Sequence, residues 1–215
     1  PAVQRIFKLI LPSVMTFAVM QISLLIDSTL AFLVGDGANS ALWYGNRLMQ
    51  FPLALFGIAL GTALLPAFSE HAADKNHEAI RDTLSFSLRT IFAIVMPASA
   101  GLIFLRTPVI QVLFERGNFD AVSTCRTANV VLCYTIGLFA FAGQKIMAAA
   151  FYGVQDTRTP FRLSCISIGL NIVLNLILMW PLREAGLALA TSVSGIVSFI
   201  LLAARFERHV AHIGY

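Results

Sequence analysis

The sequence predicts an all-α integral membrane protein, a bundle of six transmembrane helices forming one membrane domain over residues 1–215. Three observations carry that prediction. Charged residues make up 12% of the chain against 58% hydrophobic, about half the charge of an average soluble domain. The mean hydropathy is +0.80. Six runs reach the length of about 20 apolar residues that a helix needs to cross a hydrocarbon layer, and the links between them leave no room for a soluble domain.

The first span covers about 9–34, LILPSVMTFAVMQISLLIDSTLAFLV, and stops at the turn-rich GDGANS. The second, about 41–68, is long enough to tilt. Pro52 predicts a kink in it, because proline cannot donate to the helix ladder, and Pro66 lies near its end. EHAADKNHEAIRD then reads as a charged helical connection outside the membrane. The third span, about 86–106, contains Pro97, and the apolar part of TPVIQVLFERGNFDAVST predicts a short interfacial helix after it. The fourth, about 124–151, runs into FYGVQDTRTP, where Gly153 and Pro160 bracket a tight link. The fifth, about 161–181, ends at Trp180-Pro181, and PLREAG turns directly into the sixth, about 185–204.

Lysine and arginine asymmetry sets the orientation. With the amino terminus inside, Arg5, Lys8, Lys75, Arg81, Arg89, Arg158, Arg162, Arg205 and Arg208 face the cytoplasm. Only Arg106, Arg116, Arg126 and Arg183 face outward, so a cytoplasmic amino terminus is expected. The chain opens PAVQRIFKLILP, without methionine or a cleavable signal, and reads as a piece of a longer polytopic protein.

The cations left over fall inside spans, where a charge costs about 2.5–3.5 kcal/mol on insertion scales. Three charges sit at membrane depth: Asp27, Arg47 and Lys145. Counting from the span ends, Asp27 and Arg47 each lie roughly 9–11 Å below the outer surface. They either pair with one another or serve separate ligands. A pairing arginine would be cheaper to replace by an apolar residue. Its planar fork is suited to phosphate, which favours a wet, anion-binding cavity at Arg47. Lys145, in GQKIMAAAFYG, lies close enough to the inner interface to snorkel. Gln144 beside it suggests a wetted stretch.

NIVLN places Asn171 and Asn175 on one helix face at i and i+4. Asn175, Thr191 and Asp27 lie at matched depth. A carboxylate, amide oxygens and a hydroxyl suit a bare monovalent cation such as sodium, while ordinary interhelical hydrogen bonding is the alternative. Asp27 cannot serve Arg47 and an ion at once.

Catalytic signatures are missing: no Walker loop, no nucleophile elbow, no HExxH and no paired acidic clusters. Cys125, Cys133 and Cys165 form no CxxC, and His71, His77, His209 and His212 show no metal-site spacing. Nothing here looks catalytic, and no enzyme activity, no resident cofactor and no nucleic-acid partner is expected.

The stretch WYGNRLMQFPLALFGIALGTALLPAFSEHAADKNHEAIRDTLSFSLR resembles the second-lobe signature of the MurJ (MviN-type) lipid II flippases, within the MOP transporter superfamily. QISLLIDSTLAFLVGDGANSALWYGNRL, VIQVLFERGNFDA and FYGVQDTRTPF are similar to further family hallmarks, in the right order. The resemblance covers essentially the whole chain. It implies one lobe of a two-lobed MOP/MATE-like transporter, with the first lobe as its missing partner. It also implies alternating-access movement of lipid II, the undecaprenyl-pyrophosphate-linked peptidoglycan precursor, across the bacterial inner membrane for cell-wall synthesis. On that resemblance Arg47, with a contribution from Lys145, contacts the pyrophosphate, and Asp27, Asn171, Asn175 and Thr191 match positions that bind sodium in some members. Two departures stand out. Asn46 replaces an acidic neighbour of the arginine, and Asn175 replaces an aspartate, which removes one negative charge from the ion site. The alternative is another MOP transporter, a drug/cation antiporter or a polysaccharide-lipid exporter.

Overall fold

The computed structural model describes residues 21–213, with side chains described through residue 207. The first part of the first span, residues 9–20, and the side chains of His209 and His212 lie outside that range. Every described element is a helix: α1 (Gln21–Val34), α2 (Ala38–Pro52), a π-helical segment (Leu53–Ile58), α3 (Ala59–Ala73), α4 (His77–Phe114), α5 (Ala121–Ile136), α6 (Leu138–Gly153) and α7 (Arg158–Ile213).

The second span is α2, the π-helical segment and α3 read as one, Ala38–Ala73. Proline 52 leaves one carbonyl without its usual donor, and the ladder slips into π geometry in the next residue. The sequence placed the disturbance correctly.

One expectation around the third span is corrected. The charged connection is helical apart from a turn at residues 74–76, its start closing α3 and HEAIRD opening α4. No separate interfacial helix follows the span, because α4 runs unbroken through His77–Phe114. Asn76 caps it by accepting the Ala79 N–H at 3.0 Å, so the helix starts at the charged stretch itself. Pro97 and Pro108 are carried inside the helix, as membrane helices carry prolines when neighbours answer the freed groups. The Arg106 guanidinium donates to the Ile103 carbonyl, one of the groups near Pro108.

The fourth span is corrected as well. It is a pair, α5 and α6, bent by 45° at Gly137. A Cβ at Gly137 would lie 2.8 Å from the Ser192 backbone, so only glycine permits the contact. The Ser192 hydroxyl donates to the Cys133 carbonyl at 2.7 Å, answering a group in the last turn of α5 beside the bend.

Helix α7 is a hairpin of two helices that meet at Arg183. Arg183 takes φ 51°, ψ −133°, and the chain reverses there. Ser167 then reaches the Ser194 carbonyl at 3.1 Å, and Asn171 reaches the Thr191 hydroxyl at 3.3 Å. A Cβ on Gly186 would lie 2.1 Å from the Leu178 carbonyl oxygen. The fifth and sixth spans are the two arms, as the PLREAG turn predicts.

Helix α6 is the centre. It packs against the π segment, α3, α4 and α7, and ten of its sixteen residues are buried. Glycines set how close its neighbours come. A Cβ at Gly143 would stand 2.5 Å from the Phe199 ring, one at Gly195 would stand 2.4 Å from the Phe141 ring, and one at Gly153 would meet Phe68 at 2.4 Å. Phe141 and Phe199 therefore interlock α6 with the second arm of α7, each on the other's glycine. In full-length protein, Gly143→Val is expected to lower the melting temperature by overpacking, at about 1–3 kcal/mol. Gly101→Val, where nothing lies within 4 Å, should leave it unchanged. Equal melting of the two variants would contradict the interlock.

Candidate functional site

Arg47 stands on an exposed face of α2. One turn earlier, the exposed Trp43 ring lies 4.9 Å from its guanidinium carbon, a cation–π contact that fixes the side chain along the helix. Asn46 and Gln50 hydrogen-bond to one another beside it. Ser40, Trp43, Arg47 and Gln50 thus form a polar, aromatic stripe that no described element covers. Arg47 does not pair with Asp27; among the described residues the ion pair is Arg126 with Glu184. The competition for the Asp27 carboxylate is settled against Arg47.

Asp27 instead faces α7. Asn175 donates to Asp27 Oδ1 at 2.7 Å and to Asn171 Oδ1 at 3.0 Å. Asn171 reaches the Thr191 and Ser194 hydroxyls at 3.3 and 3.4 Å. With its amide turned over, Asn171 would donate to Asp27 at 3.2 Å and accept the Thr191 N–H at 3.2 Å. The structure therefore brings Asp27, Asn171, Asn175 and Thr191 together at one locus, beside a cavity of about 140 Å³ that also touches Ser23, Gln144, Ser167 and Ser194. One further observation bears on the fit to a small hard cation, although Asn175 presents its amide N–H to Asp27 and does not itself line the cavity. Asn175 is fully buried and its Oδ1 has no hydrogen-bond partner, an acceptor left unanswered. No three His, Cys, Asp or Glu side chains gather among the described residues. A cation here would lean on neutral oxygens around one carboxylate.

Lys145 stands apart from both loci. It is exposed on α6 and lines a cavity of about 390 Å³ between α3, α6 and the two arms of α7, together with Tyr152, Thr62 and Ser198. Gln144 borders this cavity and the Asp27 cavity, and its Nε2 donates to the Gly195 carbonyl at 2.7 Å.

Sequence reasoning missed the tie at the opposite end of the bundle. Arg126 Nε meets Glu184 Oε1 at 2.5 Å, and its Nη1 donates to the Asp36 carbonyl at 2.8 Å. One side chain thereby joins the α1–α2 link, α5 and the reversal of α7. The available signal was that Asp36, Arg126 and Glu184 all fall at the outer ends of spans in the expected orientation.

The sequence model of the family described as "Lipid II flippase MurJ" matches residues 1–214. The chain belongs to the MurJ family. A probable lipid II flippase MurJ of Vibrio cholerae is 39% identical over 202 residues, which is 94% of this chain and 38% of that protein. The lipid II flippase MurJ of Burkholderia cenocepacia is 36% identical over 205 residues, covering 94% and 39%. Among solved structures, a MurJ in an inward closed conformation superposes with TM-score 0.84 at 28% identity, covering 98% of this chain and 45% of that one. A MOP superfamily transporter from Pyrococcus furiosus shares the fold, with TM-score 0.75 at 19% identity. The chain spans about two fifths of the length of the MurJ relatives it matches.

The Arg126–Glu184 tie makes an asymmetric prediction. The Glu184 side chain is 8% exposed and that of Arg126 30%. Removing Arg126 strands a buried carboxylate, while Glu184→Gln leaves a cation that water still reaches. Arg126→Ala should cost about 2–3 kcal/mol of stability, Glu184→Gln clearly less, and Arg126→Leu with Glu184→Leu should recover most of the loss. Thermal melting of the three full-length variants checks this order.

Proposed function

We propose that this chain forms one lobe of a lipid II flippase, and that Arg47 is the lobe's contact to the substrate pyrophosphate. The observation that carries the reading is the uncovered stripe on α2. A membrane helix that faced only lipid would have no use for Ser40, Arg47 and Gln50 on one exposed face. A water-filled cavity shared with a second lobe explains it. The protein is a transporter that makes and breaks no bond, and its place is the bacterial inner membrane, with the amino terminus of this segment on the cytoplasmic side.

The arginine fork offers the two oxygens of a phosphate two parallel donors. The ring of Trp43 holds it in the direction of the helix axis, so the fork is presented without the disorder of a long free side chain. Lys145 acts as a single point charge. Its cavity is lined by α3, α6 and α7 and not by α2, so its contribution to the anion is as a second positive charge in the lobe.

Asp27, Asn171, Asn175 and Thr191 are proposed to hold sodium as a coupling ion. Bound there, the ion would supply a charge that ties α1 to both arms of α7. The protein's own part is to supply one carboxylate oxygen, the unanswered Asn175 Oδ1 and the Thr191 hydroxyl. Asn175, where an aspartate would add charge, makes the affinity modest.

Two measurements test these readings. In cells depleted of their own flippase, full-length Arg47→Ala is expected to abolish rescue at equal expression, and Arg47→Lys to rescue poorly because the bidentate geometry is lost. Normal growth with Arg47→Ala would sink the phosphate contact. For the ion, sodium but not potassium should raise the melting temperature of the full-length protein. That rise should vanish in Asp27→Ala and grow in Asn175→Asp; a rise unaltered by Asp27→Ala would refute the site.

A further inference from the structure

We propose that the outer end of this lobe carries a sugar subsite, a pocket between α2, the α4–α5 link and the first turns of α5. It takes one hydroxyl- and amide-bearing ring of the head group whose anion Arg47 holds. The proposal rests on the reading of Arg47 given above and extends it to the uncharged part of the same substrate.

The pocket has a volume of about 290 Å³ and is bordered by Ser40, Tyr44, Asn118, Phe119, Ser123 and Arg126. That is the lower edge of the range of small-molecule sites, about 300–1,000 Å³, and it suits one ring rather than a chain of them. Its chemistry is mixed in the way a saccharide requires. Ser40 and Ser123 bring hydroxyls that donate or accept, and Asn118 brings an amide that does both. Tyr44 and Phe119 bring aromatic surface on which the apolar face of a pyranose can lie. These rings are held in place: Tyr44 meets Phe119 edge-on at 5.3 Å and lies 4.7 Å from Phe114.

Two further observations favour a neutral ligand over an anion. The charge of Arg126 is already met by Glu184 at 2.5 Å, and its Nη1 is committed to the Asp36 carbonyl. The wall therefore offers polarity without net positive charge. Thr127 also lines the pocket, is fully buried, and its hydroxyl has no hydrogen-bond partner. An unanswered buried hydroxyl marks a wall built for a ligand or a bridging water.

Register connects the pocket to Arg47. Ser40, Tyr44 and Arg47 stand at i, i+4 and i+7 and share one face of α2. Ser40 lies about 10 Å further along the axis of α2 than Arg47, toward the amino-terminal end of the helix. Two backbone positions shape the rims. Gly37 takes φ +79° and Gly117 φ +62°, and a Cβ on Gly37 would press on Arg126 Nη1 at 3.1 Å.

The experiment compares two probes on the full-length protein: a short-chain polyprenyl pyrophosphate, and the same lipid carrying one N-acetylated amino sugar on its pyrophosphate. Asn118→Ala and Ser123→Leu are expected to weaken the glycosylated probe at least about fivefold, which is about 1 kcal/mol, and to leave the bare pyrophosphate unchanged. Asn118 is an exposed link residue, so its variant tests the pocket even where Ser123→Leu folds poorly. Arg47→Ala should weaken both probes alike. Equal loss of both probes in the pocket variants, or no loss of either, overturns the subsite. Unchanged binding of both probes in Arg47→Ala overturns the phosphate contact instead, and the pocket variants still report on the sugar separately.

Discussion

The close approach of helices around α6 is the constraint on which the rest of this lobe depends. In lipid, helices gain nothing from hiding apolar surface, so they associate by packing and by the few polar contacts they can make. Gly143 and Gly195 let Phe199 and Phe141 cross-lock, and Gly153 receives Phe68. With α6 clamped in this way, Gln144 is delivered to the Gly195 carbonyl. The bend at Gly137 is delivered to Ser192, which answers a carbonyl there. A bulkier residue at these glycines would move the second arm of α7, and with it Thr191 and Ser194. The hydroxyls beside Asp27 are positioned by packing on the same arm, beginning with Gly195 next to Ser194.

Several polar groups inside the bundle are answered by a neighbouring helix. Ser167 and Asn171 on one arm of α7 bond to Ser194 and Thr191 on the other, while Asn175 bonds to Asn171 on its own arm and to Asp27 on α1. At the end where α7 reverses, Arg126 joins segments 58 and 90 residues apart in sequence. It sits beside the reversal at Arg183, whose positive φ is costly for a residue with a side chain, of order 1–3 kcal/mol. Glu184, bound immediately after, holds that reversal in place. The few groups left unanswered, such as Asn175 Oδ1 and the Thr127 hydroxyl, gain their meaning from this background.

Much of this architecture was legible in the sequence, and what was not has a physical cause. Hydropathy pointed to long apolar helices because a lipid layer demands long apolar runs, and the irregularity at Pro52 followed from a missing donor. The unbroken α4 was not legible: a charged segment such as HEAIRD continues a helix as readily as it connects two. The bend at Gly137 was hidden for a different reason. Glycine is common in membrane helices, and only contact with Ser192 turns this one into a break. At the sites, Asn171 and Asn175 were visible as a one-face pair, and Asp27 and Arg47 as charges at depth. That Asp27 faces Asn175 and not Arg47 depends on the rotation of α1 about its axis. Residue spacing cannot supply that angle. Arg126 and Glu184 escaped because charges near span ends are ordinary, and their partnership exists only after α7 reverses.

The separation of Arg47 from Asp27 bears on how the lobe could couple an ion to a substrate. Direct pairing would have made the two ligands rivals for one carboxylate, so that binding either would disturb the other on the spot. The structure gives them separate partners, Trp43 for Arg47 and Asn175 for Asp27. Arg47 belongs to the exposed face of α2, and Asp27 to the junction of α1 with α7. Any coupling must then pass through the bodies of the helices, from α1 across the short GDG link into α2. The Asp36 carbonyl in that link is the one Arg126 grips. The link that joins α1 to α2 is therefore itself tied, through Arg126, to α5 and to Glu184 at the reversal of α7.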